Sequence, residues 1–549
     1  MIKIDESKNQ DCCGCGACVS VCPRQCITMI MDREGFLYPR VDEDQCINCN
    51  LCEKVCPIIK KIKAGNSDTI YMPRALGGWH KDEVIRMSSS SGGAFSLFAI
   101  YIIEHGGIVY GAAVDEKMRT RHMGVENVED LQKLRGSKYV QSDIDGVYKE
   151  IENWLSQGRK VFFVGTPCQA AGLTAFLKTK YEGLYIADFI CHGVPSPKVF
   201  ESYLEWISQK YGSAVIDFKF RLKDKPWNPS GMQMGTKITL NNGKVLRRFP
   251  AYKDFYMNGF LDDLYLRPSC YNCRFKSLPK EYVDITFADF WGADRIDKTI
   301  CDRKGTSLLL LHSKKAEELF EKVKGDFYYK EYDILKAIRR NQSLIKSAEW
   351  NSHREKFFRD YENKSFIWVA HRYMSGISWA SHKAGKVAWG IVRNIIQKSL
   401  GSVLSLIHVC WSDKEWNNFF QFIKFAIVGL SNTVVSYLIN IFVLTFLKVT
   451  NYTYDYVVAN TIAFLLSVPW SFFWNSRMVF VSQGNKRSPI CTLLKTYMSY
   501  AFTGIIVNNL LSTIWIRIFR VTKYLAPLLN LPFSMLINFF INKFWAYKE

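Results

Sequence analysis

Apolar and polar positions divide the chain into regions of different period. From about Ala75 to Phe358, short apolar runs alternate with amphipathic stretches. GGIVYGAAV (106–114), KVFFVG (160–165) and GLYIADFIC (183–191) predict buried strands, and VYKEIENWL (147–155) and AAGLTAFLK (170–178) predict helices. That alternation predicts an α/β domain. No GxGxxG follows a strand, so a Rossmann dinucleotide site has no support. Beyond Trp416 the chain turns strongly apolar, and four stretches, 421–447, 456–480, 493–517 and 524–546, are each long enough to cross ~30 Å of hydrocarbon.

These four stretches predict an all-α four-helix transmembrane domain. Asn432, Asn460, Asn475, Asn508, Asn509, Asn538 and Asn542 lie within or at the ends of them. Amides at that depth need partners and should face the bundle or a polar cavity, not lipid. A weak repeat relates KFAIVGLSN (424–432) to SYAFTGIIVN (499–508), and FFWNSRMVF (472–480) to NFFINKFWAY (538–547). Two like-oriented copies of one hairpin imply an even number of spans. Arg477, Lys486 and Arg487 agree with cytoplasmic termini, whereas Arg517, Arg520 and Lys523 do not. Upstream, residues 366–412 hold no Asp or Glu but carry Arg372, Lys383, Lys386, Arg393 and Lys398. Two readings of that stretch stand: a basic amphipathic helix on an anionic leaflet, or a helix covering the soluble part.

At 549 residues the chain is too long for one core, and about two to four domains are expected. Of the 17 cysteines, ten lie at or before Cys56, and no apolar leader precedes the first of them. Such a segment reads as a metal site in a reducing compartment rather than a disulfide scaffold. The formal charge of +21 would suit nucleic acid, but the basic residues cluster beside apolar segments and not on a reading helix. With 15% aromatic residues and an apolar C-terminal third, a membrane surface is the expected partner and nucleic acid is set aside.

Two cysteine runs repeat one spacing. Cys12-x2-Cys15-x2-Cys18-x3-Cys22-Pro23 is followed by Cys46-x2-Cys49-x2-Cys52-x3-Cys56-Pro57. In this pattern three thiolates hold one cube and the fourth cysteine, before proline, serves the other. Cys12, Cys15, Cys18 and Cys56 then form one ligand set, and Cys46, Cys49, Cys52 and Cys22 the second. A pair of zinc knuckles is the competing reading, but it needs neither the doubled motif nor the prolines. Cys13 and Cys26 fall outside the pattern and read as packed thiols. The segment resembles bacterial two-cluster ferredoxins, including Gly14 and Gly16, where the backbone is expected to pass close to the sulfides.

Three loops and four more cysteines mark the middle of the chain. SSSSGGAFS (88–96) offers backbone amides to an anion, RGSKYVQS (135–142) places Lys138 among small polar residues, and GTPCQAAGL (165–173) is a strand–turn–helix with a cysteine at its tip. Each alone is equally explained as a helix cap. Cys168, Cys191, Cys270 and Cys273 supply the count a third cluster needs, with structural zinc as the alternative. His192 could donate a proton beside a redox cofactor; a histidine held by backbone carbonyls is the blander account.

With CHGVPSP, CxxCRFK and DITFADFWG, these motifs resemble the family of coenzyme F420 hydrogenase/dehydrogenase beta subunits, from near Cys12 to about Phe358. That resemblance implies an FAD-containing domain with its own 4Fe–4S cluster at Cys168, Cys191, Cys270 and Cys273. It places FAD near Ser90, Ser91, Gly92, Gly93, Lys138, Gly165, Thr166 and Pro167, with FRLKDK (220–225) approaching its phosphates and Asp289 structural. Residues 418–549, with KFAIVGLSNT, NSRMVF and INKFWAY, resemble the GtrA-like membrane family, which implies work on polyprenyl-phosphate-linked sugars in cell-surface polysaccharide synthesis.

The expected architecture is multidomain: an α+β ferredoxin-like 2x(4Fe–4S) module (1–62), an α/β flavin-binding domain (72–360), a basic amphipathic linker (361–416) and the transmembrane domain (417–549). The expected activity is that of a membrane-tethered iron–sulfur flavoprotein oxidoreductase, multi-pass in the cell membrane with its soluble part in the cytoplasm. Its donor would be a ferredoxin or a reduced deazaflavin or nicotinamide system, and its acceptor one tied to surface polysaccharide synthesis. Two rivals remain open, a sugar-translocation protein regulated by redox state and an electron-transfer component of a separate reductase.

Overall fold

The structure, a computed structural model, describes residues 11–59, 72–229, 234–375, 396, 397, 399, 411, 413–448, 455–480, 489–521 and 526–547. The chain divides into two compact units, Met1–His382 and Lys383–Glu549.

The first unit opens with two short helices, Ala17–Val21 and Leu51–Lys54, flanking strands β1 (Ile27–Met31) and β2 (Leu37–Val41). The strands pair antiparallel, Ile27 opposite Val41 and Met31 opposite Leu37. Then come β3 (Arg74–His80), β4 (Ile108–Val114), β5 (Thr120–Val125), β6 (Val161–Gly165), β7 (Leu184–Phe189), β8 (Val215–Lys219), β9 (Thr236–Leu240), β10 (Val245–Arg248), β11 (Ile285–Asp289), β12 (Ser307–Leu311) and β13 (Phe327–Tyr332). Eight of them form one sheet in the order β13-β3-β12-β11-β7-β6-β4-β5, and β10-β9-β8 form a separate three-stranded sheet.

Strands β4, β6, β7 and β11 run parallel, and β12 is antiparallel to both β11 and β3. It follows that β3, β4, β6, β7 and β11 all end on one edge of the sheet, where open α/β sheets gather ligands. The runs SLLLL of β12 and VFFVG of β6 are apolar throughout because helices cover both faces. Adjacent Phe162 and Phe163 alternate sides. Phe162 packs with Phe98 and Leu97 of helix Ala94–Glu104, and Phe163 with Tyr148 and Leu173 of helices Val147–Ser156 and Pro167–Leu177. The three strands and two of the helices expected from the period are all present. A dinucleotide-type glycine turn is not needed to build this sheet.

The ferredoxin-like module packs on the α/β domain: Cys13, Cys15, Ala17 and Val55 share one core with Ile144, Tyr148, Ile151 and Leu173. The stretch expected as linker from residue 361 starts as core, because helices Arg354–Asn363 and Phe366–Tyr373 place Phe357, Phe358, Val369, Ala370 and Tyr373 in the largest cluster. The i, i+3, i+4, i+7 spacing of Phe366, Val369, Ala370 and Tyr373 makes one apolar face there. Lys383, Lys386, Arg393 and Lys398, on which the membrane-surface reading rests, lie outside the described residues.

The second unit is helical. Its elements are Asp413–Lys448, Asp455–Trp474, Pro489–Ala501, Asn508–Arg517 and Ala526–Ile541, with π-helical turns at Asn475–Val479, Phe502–Val507 and Asn542–Ala546. Among the described residues one helix, Glu415–Leu447, is long and apolar enough to cross a membrane, with mean hydropathy 1.9. The sequence repeat has a structural counterpart, since FFWN and FFIN each end at the asparagine that opens a π turn. Both asparagines are fully buried. Asn475 Nδ2 donates to Ser471 Oγ at 3.1 Å and Asn542 Nδ2 to Ser499 Oγ at 3.2 Å. Asn538 Oδ1 accepts from Thr503 Oγ1 at 2.8 Å. Three of the amides thus face partners within the unit, as their cost in hydrocarbon requires; Asn432 Oδ1 is buried without a hydrogen-bond partner among the described residues, and the side chains of Asn460, Asn508 and Asn509 lie outside them.

Candidate functional site

Cysteines of both N-terminal runs meet in one hollow. Cys22, Cys46, Cys49 and Cys52 line one hollow, together with Cys26, Arg24, Ile47 and Asn48. Burial pushes the Cys18 thiol up to about 12, and the neighbouring Cys12, Cys56 and Cys52 thiols add to it. Bare thiols crowded in this way resist ionisation, and a cationic iron core reverses that by binding them as thiolates. Cys13 and Cys26 are buried, as packed thiols should be, but each rests on a patterned cysteine: Cys26 Sγ is 3.4 Å from Cys22 Sγ, and Cys13 is in hydrogen-bonding reach of Cys15 and Cys168.

The glycines of the first run serve docking. A Cβ at Gly14, where φ is +67°, would stand 2.8 Å from Arg267 Nη1 and 2.9 Å from Gln141 Nε2. The reciprocal contact is at Gly172, where a Cβ would stand 3.0 Å from Cys15 Sγ. Gly14 thus makes room for side chains of the α/β domain.

Cys168, Cys191, Cys270 and Cys273 converge from three loops into a second hollow, also lined by Cys13, Pro167, His192 and Lys276. Cys168 sits at the start of helix Pro167–Leu177, Cys191 just after β7, and the other two on and after the turn Pro268–Asn272. Contact with Cys13 and burial push the Cys168 thiol well up, and burial takes Cys191 up to about 12 against the opposing charge of Lys276. Lys276 is fixed there, donating to the carbonyl of Ser343 at 2.7 Å and to that of Cys191. Among the described residues no three His, Cys, Asp or Glu side chains close on a single metal ion.

His192 lines this second hollow. Its Nε2 lies 2.5 Å from Asp263 Oδ1, and its ring meets the edge of Phe260. The partner is therefore a carboxylate and not a backbone carbonyl.

Thr166 and its neighbours have local work. Thr166 Oγ1 accepts from Gln169 N at 3.4 Å, and Gln169 Oε1 accepts from Thr166 N at 2.9 Å, closing a capping box. Thr166 Oγ1 also lies 3.1 Å from Cys168 Sγ. Gly165, Thr166 and Pro167 so place Cys168, on the same sheet edge as the Ser/Gly loop.

That loop and the Lys138 loop meet directly. Ser90 Oγ accepts from Ser137 N at 2.8 Å. Ser91 Oγ donates to Thr306 O at 2.9 Å, and Gly92 N to Ser307 Oγ at 2.9 Å. Gly92 is required because a Cβ would stand 2.4 Å from Gly78 O, and Gly93 takes φ +88° at the helix start. Lys138 Nζ donates to the carbonyls of Lys133 and Arg135 at 3.0 and 2.8 Å. Lys223, from FRLKDK just past β8, donates to Arg86 O at 2.6 Å and to Ser91 O. Burial lowers both ammonium groups to about 7. Among the described residues neither stands in ion-pair contact with a carboxylate. Two half-buried cations beside a Ser/Gly loop, each donating to backbone carbonyls, fit an anionic ligand. Asp289, at the end of β11, pairs with Arg221 at 2.6 Å, and Arg221 lies over the Trp291 ring.

Sequence reasoning missed Arg267, Gln141 and the Cys13–Cys168 contact. An arginine three residues before Cys270 in the apolar run LYLRPSC was the available signal.

The sequence comparisons agree with this layout. Residues 11–58 match a 4Fe-4S dicluster domain. Residues 75–149 and 158–335 match the N- and C-terminal parts of the coenzyme F420 hydrogenase/dehydrogenase beta subunit. Residues 424–547 match the GtrA/DPMS transmembrane domain. The chain thus joins a 4Fe-4S dicluster domain, the N- and C-terminal parts of a coenzyme F420 hydrogenase/dehydrogenase beta subunit and a GtrA/DPMS transmembrane domain.

Relatives include a coenzyme F420-dependent sulfite reductase of Methanocaldococcus jannaschii, 24% identical over 65% of this chain and 52% of that protein. One component of the F(420)H(2) dehydrogenase of Methanosarcina mazei is 26% identical over 31% of this chain and 49% of its own. An uncharacterized ferredoxin of M. jannaschii is 35% identical over 12% of this chain and 87% of its own. The chain thus spans about half the length of the first two relatives. It is an iron–sulfur, oxidoreductase-related chain carrying a membrane domain.

Proposed function

We propose that this protein is a membrane-anchored iron–sulfur flavoprotein oxidoreductase that connects a one-electron carrier to a two-electron acceptor. Cys12, Cys15, Cys18 and Cys56 would hold the first cluster, and Cys46, Cys49, Cys52 and Cys22 the second. Cys168, Cys191, Cys270 and Cys273 would hold a third. Ser90, Ser91, Gly92, Gly93 and Lys138, with Lys223, would hold FAD. Bound there, the clusters supply one-electron steps and the flavin supplies exchange between single electrons and a pair.

The observation that carries this reading is the contact of Cys13 with both Cys15 and Cys168. Cys13 thereby touches one member of the first cysteine set and one of the third, which supports electron passage between them. Cys49 is exposed, so the second set faces solvent and a soluble donor. The protein's own residues order the path: the Thr166 cap fixes Cys168, Lys276 neutralises charge in the second hollow, and Lys138 and Lys223 wait for an anion. His192 with Asp263 is placed to hold a proton at Nε2 beside the third set.

The relatives named for F420 support a deazaflavin as one partner of the flavin site. The GtrA-type domain supports four spans with cytoplasmic termini and an acceptor tied to polyprenyl-linked sugars. The test is iron and flavin content of the anaerobically purified chain in detergent. About twelve irons and one FAD per chain are expected. About eight irons without flavin would leave an electron carrier or a translocation protein in its place.

A further inference from the structure

Arg267 is fully buried. Its Nε donates to Cys12 O at 2.7 Å, Nη1 to Gln141 Oε1 at 3.0 Å, and Nη2 to Leu37 O at 2.9 Å. Nη2 also reaches Cys12 Sγ at 3.7 Å, and the guanidinium lies over the Tyr38 ring, 4.2 Å from its centroid. Every one of these oxygen partners is neutral. Among the described residues no carboxylate forms an ion pair with Arg267. Glu34 is committed to Arg354, and Asp32 accepts from the Phe36 amide at 2.7 Å. A guanidinium taken wholly out of water without an anion is strongly penalised, so one should be supplied by whatever completes the site.

We propose that the missing counter-ion is the anionic cluster bound by Cys12, and that Arg267 is the positioning residue that raises this cluster's reduction potential above that of the second ferredoxin cluster. The proposal rests on the ligand reading of Cys12, Cys15, Cys18 and Cys56 given above. A buried positive charge and an N–H donor at a ligating sulfur both favour the more negative, reduced cluster. Each couple takes one electron, and no proton moves because the guanidinium stays charged. Among the described residues, the hollow lined by Cys22, Cys46, Cys49 and Cys52 has no such group, since its lining cation, Arg24, is exposed. Arg267 lies three residues from Cys270, so the same charge also sits beside the third set and directs the electron inward.

The test is an anaerobic titration of the full chain with dithionite and mediators, followed by electron paramagnetic resonance. Arg267→Met should move the electron distribution between the two ferredoxin clusters at least tenfold toward the second, which for a one-electron couple is about 59 mV. Arg267→Lys should restore most of the shift. Should Arg267→Met fail to fold, Gln141→Glu places a carboxylate on Nη1 and should shift the distribution in the same direction with Arg267 present. Unmoved potentials in these variants, with full iron, overturn the proposal alone. Fewer than about eight irons in the unaltered chain would overturn the ligand reading and the proposal with it.

Discussion

Arg354 grips Glu34 across 320 residues of sequence, Nη1 donating to Oε1 at 2.9 Å and Nη2 to Oε2, with side-chain exposures of 4% and 12%. The pair ties the loop between β1 and β2 to a helix that begins after the α/β sheet is complete. Arg354 is further held by the Leu266 carbonyl and lies over the rings of Phe358 and Trp350. Ser196 Oγ donates to Glu34 O at 2.6 Å beside it. The ferredoxin module is thereby tied to the α/β domain by a buried ion pair.

Removing one partner of this pair leaves a buried charge behind. Glu34→Gln or Arg354→Met should cost about 3–5 kcal/mol of unfolding free energy, read as a lowered midpoint in denaturant. Iron should be retained in the folded fraction, because no ligand is touched.

The third cysteine set separates from the other two by mutation. Cys168→Ala should lower iron by about four per chain, while the two ferredoxin signals persist in the resonance spectrum. Cys13→Ala should leave iron unchanged, since Cys13 touches Cys168 and Cys15 without belonging to either ligand pattern. A loss of about four irons in Cys13→Ala would show that it is itself a ligand.

How far the sequence reveals these features depends on how local each one is. Cysteine spacing is local, so the N-terminal sets and the family motifs were legible. So was the alternation of strands and helices, because strands buried on both faces carry unbroken apolar runs such as Val161–Gly165. The docking of the module was not legible: it depends on Gly14 against Arg267, Gly35 against Lys198 and Glu34 against Arg354, contacts made by residues far apart in the chain. The start of the expected linker was misread for a related reason. Basic residues such as Arg372 sit on the same helix as Val369 and Tyr373, and composition averages over faces that the fold keeps apart.

Flavin retention should depend on pH with a definite sign. Lys138 and Lys223 are held near about 7 by burial, so their charges are present below that pH and vanish above it. An anionic cofactor needs those charges, so affinity should fall as pH rises from about 6 to about 9, measured by flavin fluorescence on reconstitution. The flavin-free chain should show the opposite trend in stability. Unfolded lysines hold protons up to about 10.4, so burying these two is penalised at low pH and relieved as pH rises above about 7.

The polar core of the membrane unit should be separable from the redox part. Asn542→Leu removes the amide that donates to Ser499 Oγ and to the Asn538 carbonyl. Detergent-solubilised stability should drop by roughly 0.6 kcal/mol, with ~1.7 as an upper figure, and iron and flavin content should not change.

Three clusters and a flavin on one continuous path are the centre of the proposed function. An anaerobic titration of the purified chain in detergent with standardised dithionite, followed optically, tests that path most directly. Three one-electron clusters and one two-electron flavin require about five electron equivalents per chain, with flavin and iron bleaching in one connected equilibrium. An endpoint near two equivalents, without a flavin band, would contradict the proposed path and leave a two-cluster carrier on a membrane domain.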